Sequence, residues 1–219
     1  MTRPTAILIV RSRCRLNEDA IAFVRDSMDL RAVLESADWP QWKESIDAIE
    51  ADYVFNFLSD RILKGAILER KNVNFHPAPP EYPGRGTASY ALFDNIGSFG
   101  ACAHVMAAKP DAGPILKVRR FPIGDDEGCE SVSRRAELAC LDLLQEVVTE
   151  IARSGALPPP CGAVWKGAAF TRKQFEEWLM LDPADPDAFA RKVRAARHSK
   201  YPGPFVTLHG YRFGLISDD

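Results

Sequence analysis

The sequence predicts an α/β fold: a mostly parallel sheet with helices on both faces, followed by a small α+β carboxyl-terminal appendage. Three observations carry this. Short apolar runs rich in β-branched and aromatic residues, at 5–10, 52–57 and 72–76, read as buried strands. Segments with helical spacing separate them, and a strand, helix, strand order folds into a parallel sheet. Pro158-Pro159-Pro160 then reads as a stiff linker, dividing the chain into residues 1–157 and a smaller unit, 158–219, of helices and a β-hairpin. Such a Rossmann-like sheet takes its ligands at the carboxyl ends of its strands.

The first strand leads into Arg11-Ser12-Arg13-Cys14-Arg15, where a nucleotide-binding turn usually carries glycines. None is present, which disfavours a dinucleotide site; the three arginines fit either a solvated loop or an anion seat. Asn17 is placed to cap a helix through Phe23 and Val24, and residues 30–34 suit a second strand. Trp39-Pro40 opens a helix with proline in its first turn, and Trp42, Ile46 and Ile49 recur at helical spacing as core contacts. After the strand at 52–57, residues 58–63 form a turn or a helix capped by Ser59 or Asp60.

The strand at 72–76 puts Asn74 and His76 on one face, because side chains two apart on a strand point the same way. Pro77, Pro79, Pro80, Pro83, Gly84 and Gly86 cannot continue a ladder and make a stiff loop at its end. A short helix follows at 87–96, its start offering free backbone N–H groups. Two strands, at 99–107 and 115–121, are joined by Lys109-Pro110-Asp111-Ala112-Gly113, a tight turn that holds an acid. An amide, an imidazole and a carboxylate are thus expected in one pocket, with His104 nearby in the core or behind the site. A long helix spans 133–154 with Leu141, Leu144, Val148 and Ile151 on one face, and Gly155 ends it. Beyond the linker, Thr171 caps a helix over 173–181, Asp185-Pro186 starts another through Val193, and 205–215 forms two strands around His209-Gly210.

These motifs resemble a known family. Asn74-Phe75-His76-Pro77 with its Pro/Gly-rich loop, His104-Val105-Met106 and Asp111-Ala112-Gly113-Pro114-Ile115 are similar to the signature of formyltransferases that use 10-formyltetrahydrofolate. The loop from His76 to Gly86, with Ala91-Leu92-Phe93 after it, is closer to the sugar N-formyltransferase branch. The likeness is strongest over residues 52–121; the glycine-free first turn departs from many members, while Arg194 to Arg197 and Tyr201-Pro202-Gly203-Pro204 are similar to the branch's carboxyl-terminal part. The resemblance implies Asn74, His76 and Asp111 as the catalytic set. It implies a donor pocket at Leu58, Ser59, Ile62, Gly84 and His104, and an acceptor, a nucleotide-linked amino sugar such as a dTDP- or GDP-amino-deoxysugar, near Glu81, Tyr82, Arg194, Arg197 and Tyr201. It also implies a homodimer serving bacterial surface polysaccharide synthesis, such as lipopolysaccharide O-antigen.

The residues suit that chemistry. Formyl transfer passes through a tetrahedral carbon bearing a negative oxygen, which an amide N–H such as that of Asn74 stabilises by ~3 to 4 kcal/mol in comparable sites. His76 can accept the amine's proton or, when protonated, help hold the oxyanion, and Asp111 can orient it or a water and favour the imidazolium. How the two divide the proton is left open. Tyr82 offers a ring to a sugar or base, or packs on the adjacent prolines. Arg191, Lys192, Arg194, Arg197, His198 and Lys200 form a basic cluster that suits a diphosphate or a solvated helix face. Trp39, Trp42, Trp165 and Trp178 read as packing residues.

Composition narrows the alternatives. Across 219 residues the net charge is -2, with 46% hydrophobic and 26% charged residues, so no nucleic-acid partner is expected. No apolar run approaches the ~20 residues of a membrane helix, and Met1-Thr2-Arg3-Pro4 leads straight into a strand pattern, so a cytoplasmic protein is expected. Five cysteines, Cys14, Cys102, Cys129, Cys140 and Cys161, show neither a disulfide framework nor zinc-ligand spacing, so reduced structural thiols and no metal are expected. The same three residues would serve a formyltetrahydrofolate hydrolase, which usually carries a regulatory domain ahead of its first strand, or a formyltransferase with another amine acceptor. A transfer-RNA enzyme would need a larger β-barrel after the linker. A non-catalytic folate-binding remnant is the non-enzyme alternative.

Overall fold

The computed structural model describes residues 3–215; the outermost residues of the two expected units, 1–2 and 216–219, lie outside that range. The elements in chain order are β1 (Thr5–Val10), α1 (Asn17–Ser27), β2 (Asp29–Glu35), α2 (Trp39–Trp42), β3 (Tyr53–Phe57), β4 (Lys71–His76), α3 (Thr87–Phe93), β5 (Ser98–His104), β6 (Ile115–Pro122), α4 (Cys129–Ser154), α5 (Arg172–Trp178), α6 (Pro186–Ala196), β7 (Phe205–Leu208) and β8 (Tyr211–Gly214). One six-stranded sheet has the order β2-β1-β3-β4-β5-β6. The first four strands run parallel, and β5 alone is reversed.

The alternation of side chains along the strands builds two different layers. Ala6, Leu8 and Val10, with Tyr53, Phe55, Phe57, Val73 and Phe75, face α1 and α4 and form the main core. Burying each large apolar side chain contributes roughly 1.5–3 kcal/mol. Ile7, Ile9 and Val54 point to the opposite face, which Trp42 from α2, Ile46 and Ile67 from short helical turns and Leu63 from the segment after β3 cover. The same period of two sends Asn72, Asn74 and His76 to that second face. Helices therefore cover both faces, long ones on the first and short ones on the second.

Several local expectations are corrected. Asn17 does not cap α1; it is the helix's first residue, and its side-chain amide donates to the Arg11 carbonyl at 2.9 Å, tying the first turn to the helix. The helix opened by Trp39 stops at Trp42, whose carbonyl accepts from the Ser45 backbone N–H at 3.1 Å and from the Ser45 hydroxyl at 3.3 Å in a tighter turn, and Ile46 sits in a separate turn. Of the two readings left open for residues 58–63, the turn is the one present: Leu58 adopts a left-handed φ of 58°, and the Ser59 hydroxyl accepts from the Arg61 amide at 3.2 Å. β5 ends at His104 because the chain turns off to pair Met106 N–H with the Asn72 side chain. α4 begins at Cys129, since Cys129 and Val132 extend its apolar stripe into a cluster with Ala88, Leu92 and Phe99.

Residues beyond the prolines fold back onto the sheet. Thr171 and Gln174 form a reciprocal cap on α5, and the Asp185 carboxylate accepts from Ala188 N–H at the start of α6. Phe170, Phe175, Trp178 and Ala195 pack into the cluster of Tyr90 and Phe99, so this part shares a core with the sheet. β7 and β8 form a hairpin turning at His209 and Gly210, both left-handed. Cys14, Cys102, Cys129 and Cys140 are buried, Cys161 is exposed, and all are free thiols. Among the described residues no helix is long and apolar enough to cross a membrane.

Candidate active site

The site forms at the carboxyl end of β4, where the parallel strands meet the reversed one. The register pairs Asn74 with Asn56 on one side and with His104 on the other. The Asn56 side-chain amide donates to Asn74 Oδ1 at 2.8 Å, and Asn74 Nδ2 donates to His104 Nε2 at 2.9 Å. His104 in turn donates from Nδ1 to the Val105 carbonyl at 2.9 Å, which fixes its tautomer. The Asn74 amide is therefore held at both ends. Among the described residues nothing takes its second N–H, which remains free to donate.

His76 lies two residues on and is buried. Its Nε2–H donates to the Tyr82 carbonyl at 3.1 Å, leaving the Nδ1 lone pair towards the Asp111 carboxylate, 3.8 Å away. Burial pushes this imidazole below its ordinary value of 6.5, against the carboxylate of Asp111, so the neutral form prevails at neutral pH. Asp111 sits at a left-handed φ of 45° in the turn between β5 and β6. Its Oδ2 accepts from Gly84 N–H at 2.8 Å, and its Oδ1 lies 3.4 Å from His104 Nε2. Burial pushes its carboxyl up, but the two imidazoles and the Gly84 amide outweigh that and hold it well below the usual carboxylate range. The result is a charged acceptor beside a neutral base.

Gly84 is indispensable to this arrangement. Its φ is 95°, and a Cβ there would overlap the backbone of Phe170. Phe170 belongs to a strap, residues 161–170, that crosses the loop through Lys166 N–H to the Pro80 carbonyl and Phe170 N–H to the Pro83 carbonyl. Trp165 in this strap donates its indole N–H to the Gly113 carbonyl at 2.8 Å. Its ring stands edge-on to both histidines, with centroids 5.8 Å from His76 and 4.9 Å from His104. Sequence reading grouped Trp165 with three packing tryptophans, and it did not single out Asn56; the one signal for Asn56 is a polar residue in an apolar strand, in phase with Asn74.

Other expected site residues are spread more widely. Leu58 and Ser59 stand at the neighbouring strand end, and Ile62 is 54% exposed there. Glu81 pairs with Arg120 and Lys166 at the edge of the loop. Tyr82 is buried against Phe99 and donates its hydroxyl to Asp94, so its ring is committed to packing. Arg194 donates to the Asp125 carbonyl, Tyr201 packs on His198, and Arg197 is exposed; none of the three contacts Asn74, His76 or Asp111. Among the described residues no cluster of three or more His, Cys, Asp or Glu is placed to hold a metal ion.

This amide, imidazole and carboxylate set suits transfer of an acyl-type carbon to an amine. No family model matches the sequence. The structure superposes on a sugar N-formyltransferase from Shewanella sp FDAARGOS_354 with a TM-score of 0.74 at 16% identity, covering 96% of each chain. A methionyl-tRNA formyltransferase from Clostridium thermocellum matches with a TM-score of 0.69 at 18% identity, over 95% of this chain and 90% of that one. An N-formyltransferase from Helicobacter canadensis, in complex with folinic acid and dTDP-3-aminofucose, matches with a TM-score of 0.66 at 13% identity, over 96% and 85%. At such identities the likeness is one of fold, and the fold of this protein is that of the formyltransferases.

Proposed function

We propose that the protein is an N-formyltransferase that moves the formyl group of 10-formyltetrahydrofolate to the amine of a nucleotide-linked amino sugar. The observation that carries this reading is the linked set at the carboxyl end of β4: Asn74 Nδ2 lies 2.9 Å from His104 Nε2, and the Asp111 carboxylate lies 3.4 Å from that nitrogen and 3.8 Å from His76 Nδ1, with one N–H of Asn74 and one imidazole lone pair free among the described residues. The donor set fits a formyl carbonyl, which needs a neutral hydrogen-bond donor at its oxygen and a base for the incoming amine.

When bound, the folate supplies an activated formyl carbon. The free N–H of Asn74 meets the oxygen on that carbon as negative charge develops, and Asn56 and His104 keep the amide from turning. His76 accepts the amine's proton at Nδ1, the only ring nitrogen not already donating. The proton arrives beside the Asp111 carboxylate, which stabilises the imidazolium that burial otherwise disfavours. As the tetrahedral carbon collapses, its bond to the folate nitrogen would break and that nitrogen would take the proton back from His76. Trp165, edge-on beside both imidazoles, would limit the access of water to them, which would favour transfer over hydrolysis.

The sugar acceptor is supported by the loop of the sugar branch and by fold neighbours that include sugar enzymes. On this reading the enzyme works in the cytoplasm on a dTDP- or GDP-amino-deoxysugar for bacterial surface polysaccharide, and pairs as a homodimer. The exposed hairpin side chains Leu208, Tyr211 and Phe213 support the dimer, because a contiguous apolar patch favours a covering partner. Incubating the purified protein with 10-formyltetrahydrofolate and a panel of amino-sugar nucleotides tests the proposal. Formylated sugar is expected. Formate alone would assign a hydrolase, and folate binding without product would assign a binding module.

A further inference from the structure

Resting on the N-formyltransferase reading for what it admits, we infer that residues 162–167 form a hinged lid, with Trp165 on its inner face, that opens to let substrates reach His76 and Asp111. The need for an opening comes from burial. The side chains of His76, His104 and Asp111 are only 8%, 2% and 12% exposed. Two clefts of about 530 and 540 Å³ mark the surface, and none of these three residues lines either. A reacting carbon must come within about 3–3.5 Å of the groups that act on it. Trp165 packs edge-on against both imidazoles, so moving this one side chain uncovers them together.

The strap has fixed ends and a loosely held middle. Cys161 N–H donates to the Ile115 carbonyl at 2.9 Å on one side; on the other, Phe170 N–H donates to Pro83 at 3.1 Å and the Phe170 carbonyl accepts from Arg85 N–H at 2.9 Å. Just inside these anchors stand Gly162 and Gly167, left-handed at φ of 81° and 83°, each with open space where a Cβ would lie. Between the two glycines there is neither helix nor strand. Among the described residues the middle is held by the Trp165 indole on Gly113, Lys166 N–H on Pro80 and the Lys166 ammonium 3.4 Å from Glu81. Water replaces such contacts when they break, so they hold a segment weakly. Ala163, Ala168 and Ala169 offer little side chain to pack, and Val164 is 70% exposed. Behind Lys166 to Phe170 lies the cleft of about 530 Å³, walled by Tyr90, Asp94 and Gln174, so this half of the strap backs onto open space. A segment of few buried contacts between two small residues able to absorb a change in φ is the build of a lid. Two left-handed glycines also suit two static turns, and the test separates these.

The test is fluorine NMR of the full chain labelled with fluorotryptophan. Four lines are expected, one for each tryptophan, and Trp165→Phe identifies that of Trp165. This line should show microsecond-to-millisecond exchange, as broadening or as a second line, while those of Trp39 and Trp42 stay sharp. Folinic acid, the folate in the Helicobacter canadensis complex, should shift it. In Gly162→Ala/Gly167→Ala the new side chains are strained in the closed lid and relieved in the open one, so the closed-to-open ratio should fall about tenfold or more and the line should move accordingly. Gly167→Ala alone should move it the same way by less, which guards against a folding defect in the double variant. A Trp165 line as sharp as the others and unmoved by the alanines makes the glycines static turns and overturns the inference. So does folinic acid that binds and leaves the line unchanged. Exchange at Trp165 without any binding of folinic acid keeps the lid and removes the functional reading, so the two fail separately.

Discussion

Asn56 on β3 donates to Asn74 Oδ1 on β4 at 2.8 Å, while its own Oδ1 is buried with no hydrogen-bond partner among the described residues. A buried acceptor left unsatisfied costs about 1–3 kcal/mol, so Asn56 is poorly explained as a stabilising residue and well explained as one that orients the amide of Asn74. Asn56→Leu removes both the contact and the orphan oxygen. We expect stability to change by no more than about 1 kcal/mol in chemical denaturation, while kcat falls about tenfold and KM for the donor stays unchanged, as for a group acting only through the transition state. Parallel losses of stability and KM would make Asn56 structural.

The buried imidazole makes stability depend on pH. His76 is held below its ordinary 6.5, so just beneath that pH the unfolded chain binds a proton that the folded one does not. Its contribution is complete above about pH 6.5 and is lost as the pH falls through that window. Asp111 acts in the same sense lower down: its ionised form stabilises the fold above its ordinary 3.8, and that is lost as the pH falls further. Urea midpoints should therefore drop in two stages on acidification. His76→Asn should flatten the upper stage and shrink the lower one, because the imidazole also holds the Asp111 carboxyl down, and titration of both proteins would reveal this.

Asp111 combines a charge with a left-handed backbone. Asparagine tolerates that conformation and keeps an oxygen for the Gly84 amide, so Asp111→Asn should fold normally and lose about 100-fold or more in kcat. Asp111→Ala should be less stable than the asparagine variant by about 1–2 kcal/mol, because alanine is strained at positive φ. Thermal melts of the pair separate the two effects.

Trp165 is expected to govern the fate of the formyl group. Trp165→Ala exposes both imidazoles and frees the strap from Gly113, so transfer should slow about tenfold and acceptor-independent formate release should rise. Trp165→Phe, which keeps a ring but loses the indole N–H, should fall between. The ratio of formylated amine to formate is the readout, and an unchanged ratio in the alanine variant would remove the ring from the reaction.

Asn74, His76 and Asp111 were legible in the sequence because each depends on local rules: a period of two along a strand, prolines that end it, and an Asp-Ala-Gly turn. Asn56 and Trp165 depend on register and return path instead. Nothing local says that residue 56 lies opposite residue 74, or that a tryptophan after a proline linker folds back over two histidines. Local chemistry also misled where it had competitors. Helical spacing from Trp39 to Ile49 gave way to a separate turn near Ser45, and the ring of Tyr82, open in sequence to a sugar or base or to packing on the adjacent prolines, packs on Phe99 and donates its hydroxyl to Asp94.

Mass spectrometry of the products formed by the unaltered protein and by His76→Asn, each given 10-formyltetrahydrofolate and an amino-sugar nucleotide, bears most directly on whether these side chains act on one carbon. The account predicts N-formylated sugar from the first and roughly 100-fold slower formation from the second. Equal rates from the two proteins, with folate and sugar both bound, would contradict it.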